Sequence, residues 1–470
     1  MGNGPGAGGG GVRTGPRTGG GGVRTDLRLA WLLVRGSDRQ EWWRVALTAA
    51  GAMCATGLGL AAVVLAALGR DQYAVPLAHG LLDQPGERNG VILTLLLLQI
   101  PVLGFLGQCA RIGAVHRDRR LASLRLAGAE AGRVRRIAAL ESGPACLLGS
   151  LLAVAVAVPV LLSLWSRPTA LAWAGTALVA AGVPILGSAA GMLALRRVVA
   201  SPLGRVRRVR PPRSGRGPGL WLLGGLVLVA VAAVAARAGG WTAPAVLGAV
   251  VLVGAGAVWL VGALSGLTGR LLARRTGSPA VLVAAERLRE DPWAAARTHA
   301  AVTLVTVVGT GYLGVRHVLL ADLYAMRRRG ELGADLSFYT TGLDLTAAAI
   351  VLALLIAVAA LATGTAESLA TRRRGLAAQV AAGVPRAVLA RAVLLETALP
   401  LALPLLLAGA GGTAIGVGYG RLAVHGTRGW PVPYAALLVP VGVYAACLLA
   451  AAASLPFLRR SVRPGELRYA

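Results

Sequence analysis

Apolar runs of about twenty residues recur along the chain, and short polar or arginine-rich stretches separate them. A helix rises 1.5 Å per residue, so such a run can cross a hydrocarbon core of about 30 Å. The pattern therefore predicts an all-α, polytopic transmembrane protein with about ten spans. We expect the spans at residues 45–68, 91–110, 144–165, 170–195, 220–236, 243–267, 301–320, 345–366, 398–418 and 432–455.

Composition supports a membrane protein and excludes several other classes. Of 470 residues, 56% are hydrophobic and only 14% are charged, which is too apolar for a soluble chain of this length. The net charge of +29 would suggest nucleic acid in a soluble protein. Here the arginines form short blocks between apolar runs, which is typical of membrane topology, so no nucleic-acid partner is expected.

The chain carries no recognisable catalytic chemistry. It contains no lysine, so neither a GxxxxGK[ST] phosphate loop nor a Schiff-base lysine can be present. Its four cysteines lack CxxC spacing, and its five histidines are scattered without an HExxH motif. We therefore predict no catalytic residue, no metal site and no cofactor. This chain is not expected to be an enzyme, and any ATP hydrolysis would belong to a separate subunit.

One arginine-rich stretch occurs twice, at residues 111–141 and 367–396. Each copy contains a basic cluster, a helix of small residues, a glycine, and a second helix that enters a span. A shift of 255 positions aligns Arg119 with Arg374, Leu121 with Leu376, Gly128 with Gly383, Arg136 with Arg391, and Glu141 with Glu396. The alignment predicts an internal duplication, with two four-span repeats joined by a two-span hairpin.

The duplication divides the chain into six segments. They are a disordered glycine-rich tail (1–25), a first module of an interfacial helix and four spans (26–200), a basic linker (201–218), a connecting hairpin (219–268), a second module built like the first (269–460), and a tail (461–470). Arginine bias predicts that both termini and both repeated stretches lie in the cytoplasm. Residues 321–344 are expected to form an outer loop, which could form an amphipathic helix on the membrane surface that touches lipid or substrate.

The two repeated stretches resemble the inner segment of the FtsX-like permease family, the membrane subunits of MacB-type ABC transporters. That family carries a run like RRxEIxxLRALGAxxxxVxxxxxxE between the second and third spans of a four-span module. The first copy matches it at Arg117, Arg119, Arg120, Leu124, Arg125, Leu126, Gly128, Ala129, Val134 and Glu141. The second matches it at Arg372, Arg373, Arg374, Leu376, Gly383, Val384, Leu389 and Glu396. Both copies lack the glutamate that usually follows the arginines, and the second has Val380 in place of Arg125.

The resemblance implies a permease subunit of an ABC transporter in a bacterial plasma membrane. Its partners would be membrane lipids and a separate cytoplasmic ATPase dimer, and its substrate an amphipathic lipid, lipopeptide or peptide. Ten spans in one duplicated chain are compatible with either a monomer or a homodimer. The candidate residues that couple the chain to the ATPase are Arg117, Arg119, Arg120, Arg125, Gly128, Glu141, Arg372, Arg373, Arg374, Gly383 and Glu396.

Each candidate also has a simpler interpretation. The arginines could only anchor the chain to anionic headgroups and set its topology. Glu141 and Glu396 could lie in the first turns of a helix, or pair with Arg136 and Arg391 one turn earlier. The alternative function is a signal relay that acts on a membrane or extracellular partner without transport. An ion-driven transporter is disfavoured because the spans carry almost no acidic or asparagine side chains.

Overall fold

Helices account for every regular element that the structure describes. A computed structural model of the chain describes residues 39–69, 82, 85–109, 126, 131–165, 167–194, 243–333, 335–423 and 434–456. Within these ranges the helices are α1 (Arg39–Ala67), α2 (Pro85–Cys109), α3 (Ala131–Leu164), α4 (Ala170–Ala194), α5 (Ala243–Arg275), α6 (Pro279–Glu290), α7 (Pro292–Arg329), α8 (Leu336–Thr371), α9 (Arg373–Ala381), α10 (Arg386–Ala423) and α11 (Tyr434–Ala453). The all-α prediction is confirmed for these residues.

Eight helices in the described part of the chain are long and apolar enough to cross a membrane. They are α1, α2, α3, α4, α7, α8, α10 and α11, and each coincides with a predicted span. The predicted sixth span lies within α5, which is not among the eight. The predicted fifth span, at 220–236, lies outside the described residues, as do the glycine-rich tail, the basic linker and the C-terminal tail.

The two sets of four long helices have four pairwise contacts in common. In the first set, α1 contacts α2, α3 and α4, and α3 contacts α4. In the second set, α7 contacts α8, α10 and α11, and α10 contacts α11; α8 also contacts α11, a pair without a counterpart among the main contacts of the first set. Close crossings depend on glycine in both sets: a Cβ on Gly149 of α3 would clash with the Ala49 carbonyl oxygen of α1, and one on Gly314 of α7 would lie 2.8 Å from the Cα of Gly416 in α10. Small residues at such crossings let membrane helices approach closely.

The two sets meet where α2 packs against α8. Phe105 and Cys109 of α2 are buried together with Ala360 of α8, and Leu47 of α1 and Ile356 of α8 pack against them. Helices α5 and α6 are additions to the second set: α5 contacts α6, α7 and α10. The helix expected at 280–289 is present as α6, and its buried residues Ala280, Ala284, Ala285 and Leu288 form one face.

The outer loop expected at residues 321–344 is mostly helical. Helix α7 continues to Arg329 and α8 begins at Leu336, so the connection is a short turn through Gly330, which has φ +70°. The loop prediction was wrong because charged residues suggested an exposed connection, whereas arginine, leucine and methionine are all good helix formers. Both helices are therefore much longer than a bilayer requires: 38 and 36 residues span about 57 and 54 Å.

Candidate functional site

The second repeated stretch folds as a short helix, α9, wedged between two long ones. Helix α9 is separated from α8 by Arg372 alone, and it ends at Ala381, before Gly383. The amide of Gly383 donates to the Val380 carbonyl, and the amide of Val384 donates to the Gln379 carbonyl, each at 3.0 Å. These two bonds form a Schellman cap, which requires a left-handed residue at its penultimate position. Gly383 meets this requirement with φ +92°, a conformation that is costly for any residue with a Cβ.

The apolar side of α9 is packed into the ends of the neighbouring helices. Leu376 of α9 is buried together with Leu369 of α8 and with Leu389 and Val393 of α10. Val380, Val384 and Leu455 also pack against this cluster. The remaining described side chains of α9 include the exposed residues Ala378, Gln379 and Ala381. The fully exposed side chains that the structure describes on α9 are therefore uncharged.

A cluster of three charged side chains, Arg287, Arg372 and Glu396, joins α9 to its surroundings; we call it the Glu396 cluster. Arg372 Nη1 donates to Glu396 Oε1 at 3.0 Å, and Arg372 Nη2 donates to Glu396 Oε2 at 2.9 Å. Arg287 of α6 approaches the same Oε2 through its Nε at 3.1 Å. Arg372 also donates from Nε to the Ser368 carbonyl at 2.9 Å and from Nη2 to the Ser368 hydroxyl at 2.7 Å. The cluster thus links α6, the end of α8, the start of α9, and α10.

The electrostatics of the cluster are set by partial burial. The side chains of Arg372 and Glu396 are only 20% and 15% exposed, and that of Arg287 is 39% exposed. Burial lowers the pKa of Arg287, and the neighbouring Arg372 also lowers it, whereas Glu396 raises it. Two guanidinium groups share one carboxylate, so the cluster carries a net positive charge. Charge-assisted bonds with a bidentate geometry are among the stronger polar contacts in proteins.

The expected pairing of Glu396 with Arg391 is wrong. Arg391 is exposed, and Glu396 instead contacts Arg372 and Arg287, from segments far away in the sequence. Glu396 also lies well inside α10, which begins at Arg386, so it is not placed in the first turn. Residues five apart on a helix do not face each other, whereas the packing of α9 on α10 brings Arg372 directly over Glu396.

The other candidate coupling residues divide into described and undescribed groups. Arg373 Nε donates to the Ala370 carbonyl at 3.0 Å, so this side chain folds back onto the end of α8. The side chains of Arg374 and Glu141 lie outside the described ones, although α9 and α3 carry their backbones. Arg117, Arg119, Arg120, Arg125 and Gly128 lie outside the described residues. The structure therefore brings Arg372 and Glu396 together and places Gly383 at the turn that follows α9.

Sequence reasoning missed Arg287 and Ser368 as members of the cluster. One signal was present: Arg372 and Glu396 lie 24 positions apart, and Arg117 and Glu141 repeat this spacing. That recurrence could have marked Arg372 and Glu396 as a candidate pair. Nothing comparable marked Arg287, because its contact with Glu396 depends on how α6 packs against α10.

An open groove of about 440 Å³ lies over the Glu396 cluster, between α6, α9 and α10. Leu282 and Val283 of α6 line it, together with Leu389 and Val393 of α10. Glu286 and Glu290 also line it, and Glu286 is paired with Arg289 at 2.6 Å. Among the residues that the structure describes, no three His, Cys, Asp or Glu side chains are grouped so as to hold a metal ion.

In the part of the chain that the structure describes, the geometry defines a helical protein with eight helices long and apolar enough to cross a membrane, and with a short helix held between the ends of two long ones. No protein-family model matches the chain, and no curated protein is similar to it.

Proposed function

We propose that this chain is the permease subunit of an ABC transporter and works with a separate cytoplasmic ATPase. In this proposal the eight apolar helices form two four-span repeats, with the predicted hairpin between them and both repeated stretches on the cytoplasmic side. Arginine bias supports this orientation. The similar packing order of α1–α4 and of α7, α8, α10 and α11 supports the duplication.

The observation that carries the proposal is the way α9 is attached to α8 and α10. Helix α9 follows directly on α8, ends at the Gly383 turn, and packs Leu376 against both α8 and α10. A force applied to such a helix moves both spans together, because packed helices shift as rigid bodies. A short helix mounted in this manner suits a part that receives movement from another protein and passes it to the membrane.

The part of the second copy that would meet the ATPase differs from our sequence-based expectation. Arg372 is bound to Glu396 and Ser368, so we assign it to the mounting of α9 and no longer to contact with the partner. The exposed residues Ala378, Gln379 and Ala381 leave a small face that a partner can approach closely. Arg373 and Arg374, at the start of α9, supply the positive charge on this copy.

Co-purification tests the proposal. We expect an ABC ATPase encoded beside this chain to co-purify with it, and the yield to fall when Arg119, Arg120, Arg373 and Arg374 are changed to glutamate. Charge reversal replaces attraction to acidic groups by repulsion. Changing Arg327 and Arg328 to glutamate, at the far end of α7, is the matched control and should leave the yield unchanged. An ATPase yield that survives the fourfold change would remove the coupling role from these arginines.

The amphipathic substrate class rests on the family resemblance. In this proposal ATP-driven closure of the ATPase dimer moves the two inner stretches, and the attached spans rearrange near the outer leaflet. The complex in liposomes should then hydrolyse ATP faster when its lipid or peptide substrate is added. Faster hydrolysis without any further protein would favour transport over a relay.

A signal relay remains the second candidate, and one observation favours it. Helices α7 and α8 are about 25 Å longer than a hydrocarbon core of about 30 Å requires, so they extend well beyond one or both membrane surfaces. Continuous helices of this kind can carry movement across the membrane to another protein. If the complex in liposomes shows no response to any amphipathic substrate but responds to a second membrane protein, the relay is the better description.

A further inference from the structure

We infer that Glu396 is the positioning residue of the second repeated stretch, and that it holds α6 and α9 on α10 as one unit. The inference deepens the proposed function and rests on it for its consequence in coupling. It assigns the carboxylate a role within the chain and makes α6, expected only as an interfacial helix, part of the unit that receives movement.

The side chain of Glu396 is contacted from several elements of the fold. Both oxygens of Glu396 are used: Oε1 accepts from Arg372, and Oε2 accepts from Arg372 and lies 3.1 Å from Arg287 Nε. Arg372 uses all three guanidinium nitrogens, since Nε and Nη2 also bind Ser368. A single carboxylate therefore connects α10 to α6, to the start of α9, and through Arg372 to the end of α8.

The two arginines of the Glu396 cluster carry like charges. Arg287 and Arg372 approach the same carboxylate oxygen, and the charge of Arg372 disfavours the charged form of Arg287 in this partly buried setting. Glu396 is what allows the two guanidinium groups to lie side by side. Loss of Glu396 should therefore separate α6 from α9 by repulsion, whereas loss of either arginine removes contacts without creating repulsion.

Arg372 of the Glu396 cluster and the Gly383 turn lie at opposite ends of α9. Arg372 fixes the start of α9, and the turn at Gly383 marks its other end, with α10 beginning only three residues later. With the start of α9 fixed to α10, a push on α9 reaches α8 and α10 together. With the start released, α9 can rotate about the Gly383 turn and absorb the push.

A spin label tests whether Glu396 positions α9. A nitroxide on Gln379→Cys, in a chain whose exposed Cys54 is changed to Ala, reports the mobility of α9 in the purified protein. We expect Glu396→Gln to shift the equilibrium between held and released α9 towards the released form by about tenfold. Arg391→Ala, an exposed position on the same helix, should leave the spectrum unchanged. The double variant Glu396→Gln/Arg287→Gln should recover most of the held signal, because the repulsion is gone while Arg372 can still donate to the new amide oxygen and to Ser368.

The functional consequence is measured on the complex with the ATPase. Glu396→Gln should keep the co-purification yield but lower the acceleration of ATP hydrolysis by substrate, and the double variant should restore part of it. An unchanged label spectrum in Glu396→Gln overturns the inference. A mobile label with full acceleration overturns the coupling role and leaves Glu396 structural only. If the wild-type chain binds no ATPase, the proposed function fails, while the label spectra of the chain alone still decide whether Glu396 holds α9.

Discussion

Two ion clusters in the second set of helices differ in how strongly they hold neighbouring helices together. The Glu396 cluster joins four elements at the α8–α9 junction. The other, which we call the distal pair, is Arg316 of α7 with Asp344 of α8, where Nη2 donates to Oδ1 at 2.9 Å. The distal pair lies beside the hydrogen bond from the Tyr312 hydroxyl to the Leu343 carbonyl.

The difference between the two clusters lies in exposure and in the number of bonds. The side chain of Asp344 is 64% exposed and accepts from one arginine, whereas that of Glu396 is 15% exposed and accepts from two arginines. Exposed pairs contribute only ~0–1 kcal/mol, because water competes for both charges. The distal pair connects helices that already pack against each other, so the chain depends on it little. The comparison indicates that the second set is held firmly at its α9 end and lightly at its α7–α8 turn.

The largest effect should follow Glu396→Ala. Because the change removes three contacts and leaves two guanidinium groups facing each other, we expect the free energy of unfolding to fall by ~2–3 kcal/mol. Titration of the detergent-solubilised protein with sodium dodecyl sulfate measures it. Arg391→Ala should change stability by less than ~0.5 kcal/mol, as expected for an exposed side chain. Equal losses in the two variants would mean that a substitution at any position of α10 lowers stability. The Glu396 cluster would then have no particular role in holding these helices together.

The next effect concerns the turn that follows α9. Gly383 has φ +92°, so Gly383→Ala should cost ~1–2 kcal/mol even though a Cβ there would meet no other atom within 4 Å. Gly375 is the matched control: it lies inside α9, also has open space around it, and lacks a positive φ. Gly375→Ala should therefore stabilise the protein, by up to ~1 kcal/mol, because alanine is the better helix former. If both changes destabilise equally, crowding and not the left-handed backbone controls this turn.

These residues also show how far the sequence could lead. The long helices followed from apolar run length, and Gly383 could be placed at a break because a repeated glycine ends a run of small residues. The partners of Glu396 could not be found by spacing along α10, since Arg372 and Arg287 reach it only through the packing of α9 and α6. The helical α7–α8 connection was not predicted, because its charged arginines suggested an exposed loop. Arginine is nevertheless a good helix former.

A smaller effect should follow Arg287→Ala. The change removes one contact to Glu396 but leaves the bidentate bond from Arg372 intact, so we expect a loss of ~1 kcal/mol or less. Arg289→Ala is the control on the same helix, because Arg289 pairs with Glu286 at the surface with both side chains about half exposed. The same detergent titration should place Arg289→Ala within ~0.5 kcal/mol of the unchanged protein. An effect of Arg287→Ala as large as that of Glu396→Ala would mean that α6, and not α9, is the element that the cluster mainly holds.

The smallest effect should follow Asp344→Asn, which tests whether the distal pair contributes little to stability. The substitution removes the negative charge but keeps a side chain of the same size that can still accept from Arg316, so we expect a loss below ~0.5 kcal/mol. High salt should reduce even this small difference, because exposed charges are screened within about 10 Å at 0.1 M salt. A salt-resistant loss comparable to that of Glu396→Ala would show that the α7–α8 end is held as firmly as the α9 end. A chain held firmly at both ends would favour the relay over the permease, because a relay must keep α7 and α8 rigid along their whole length.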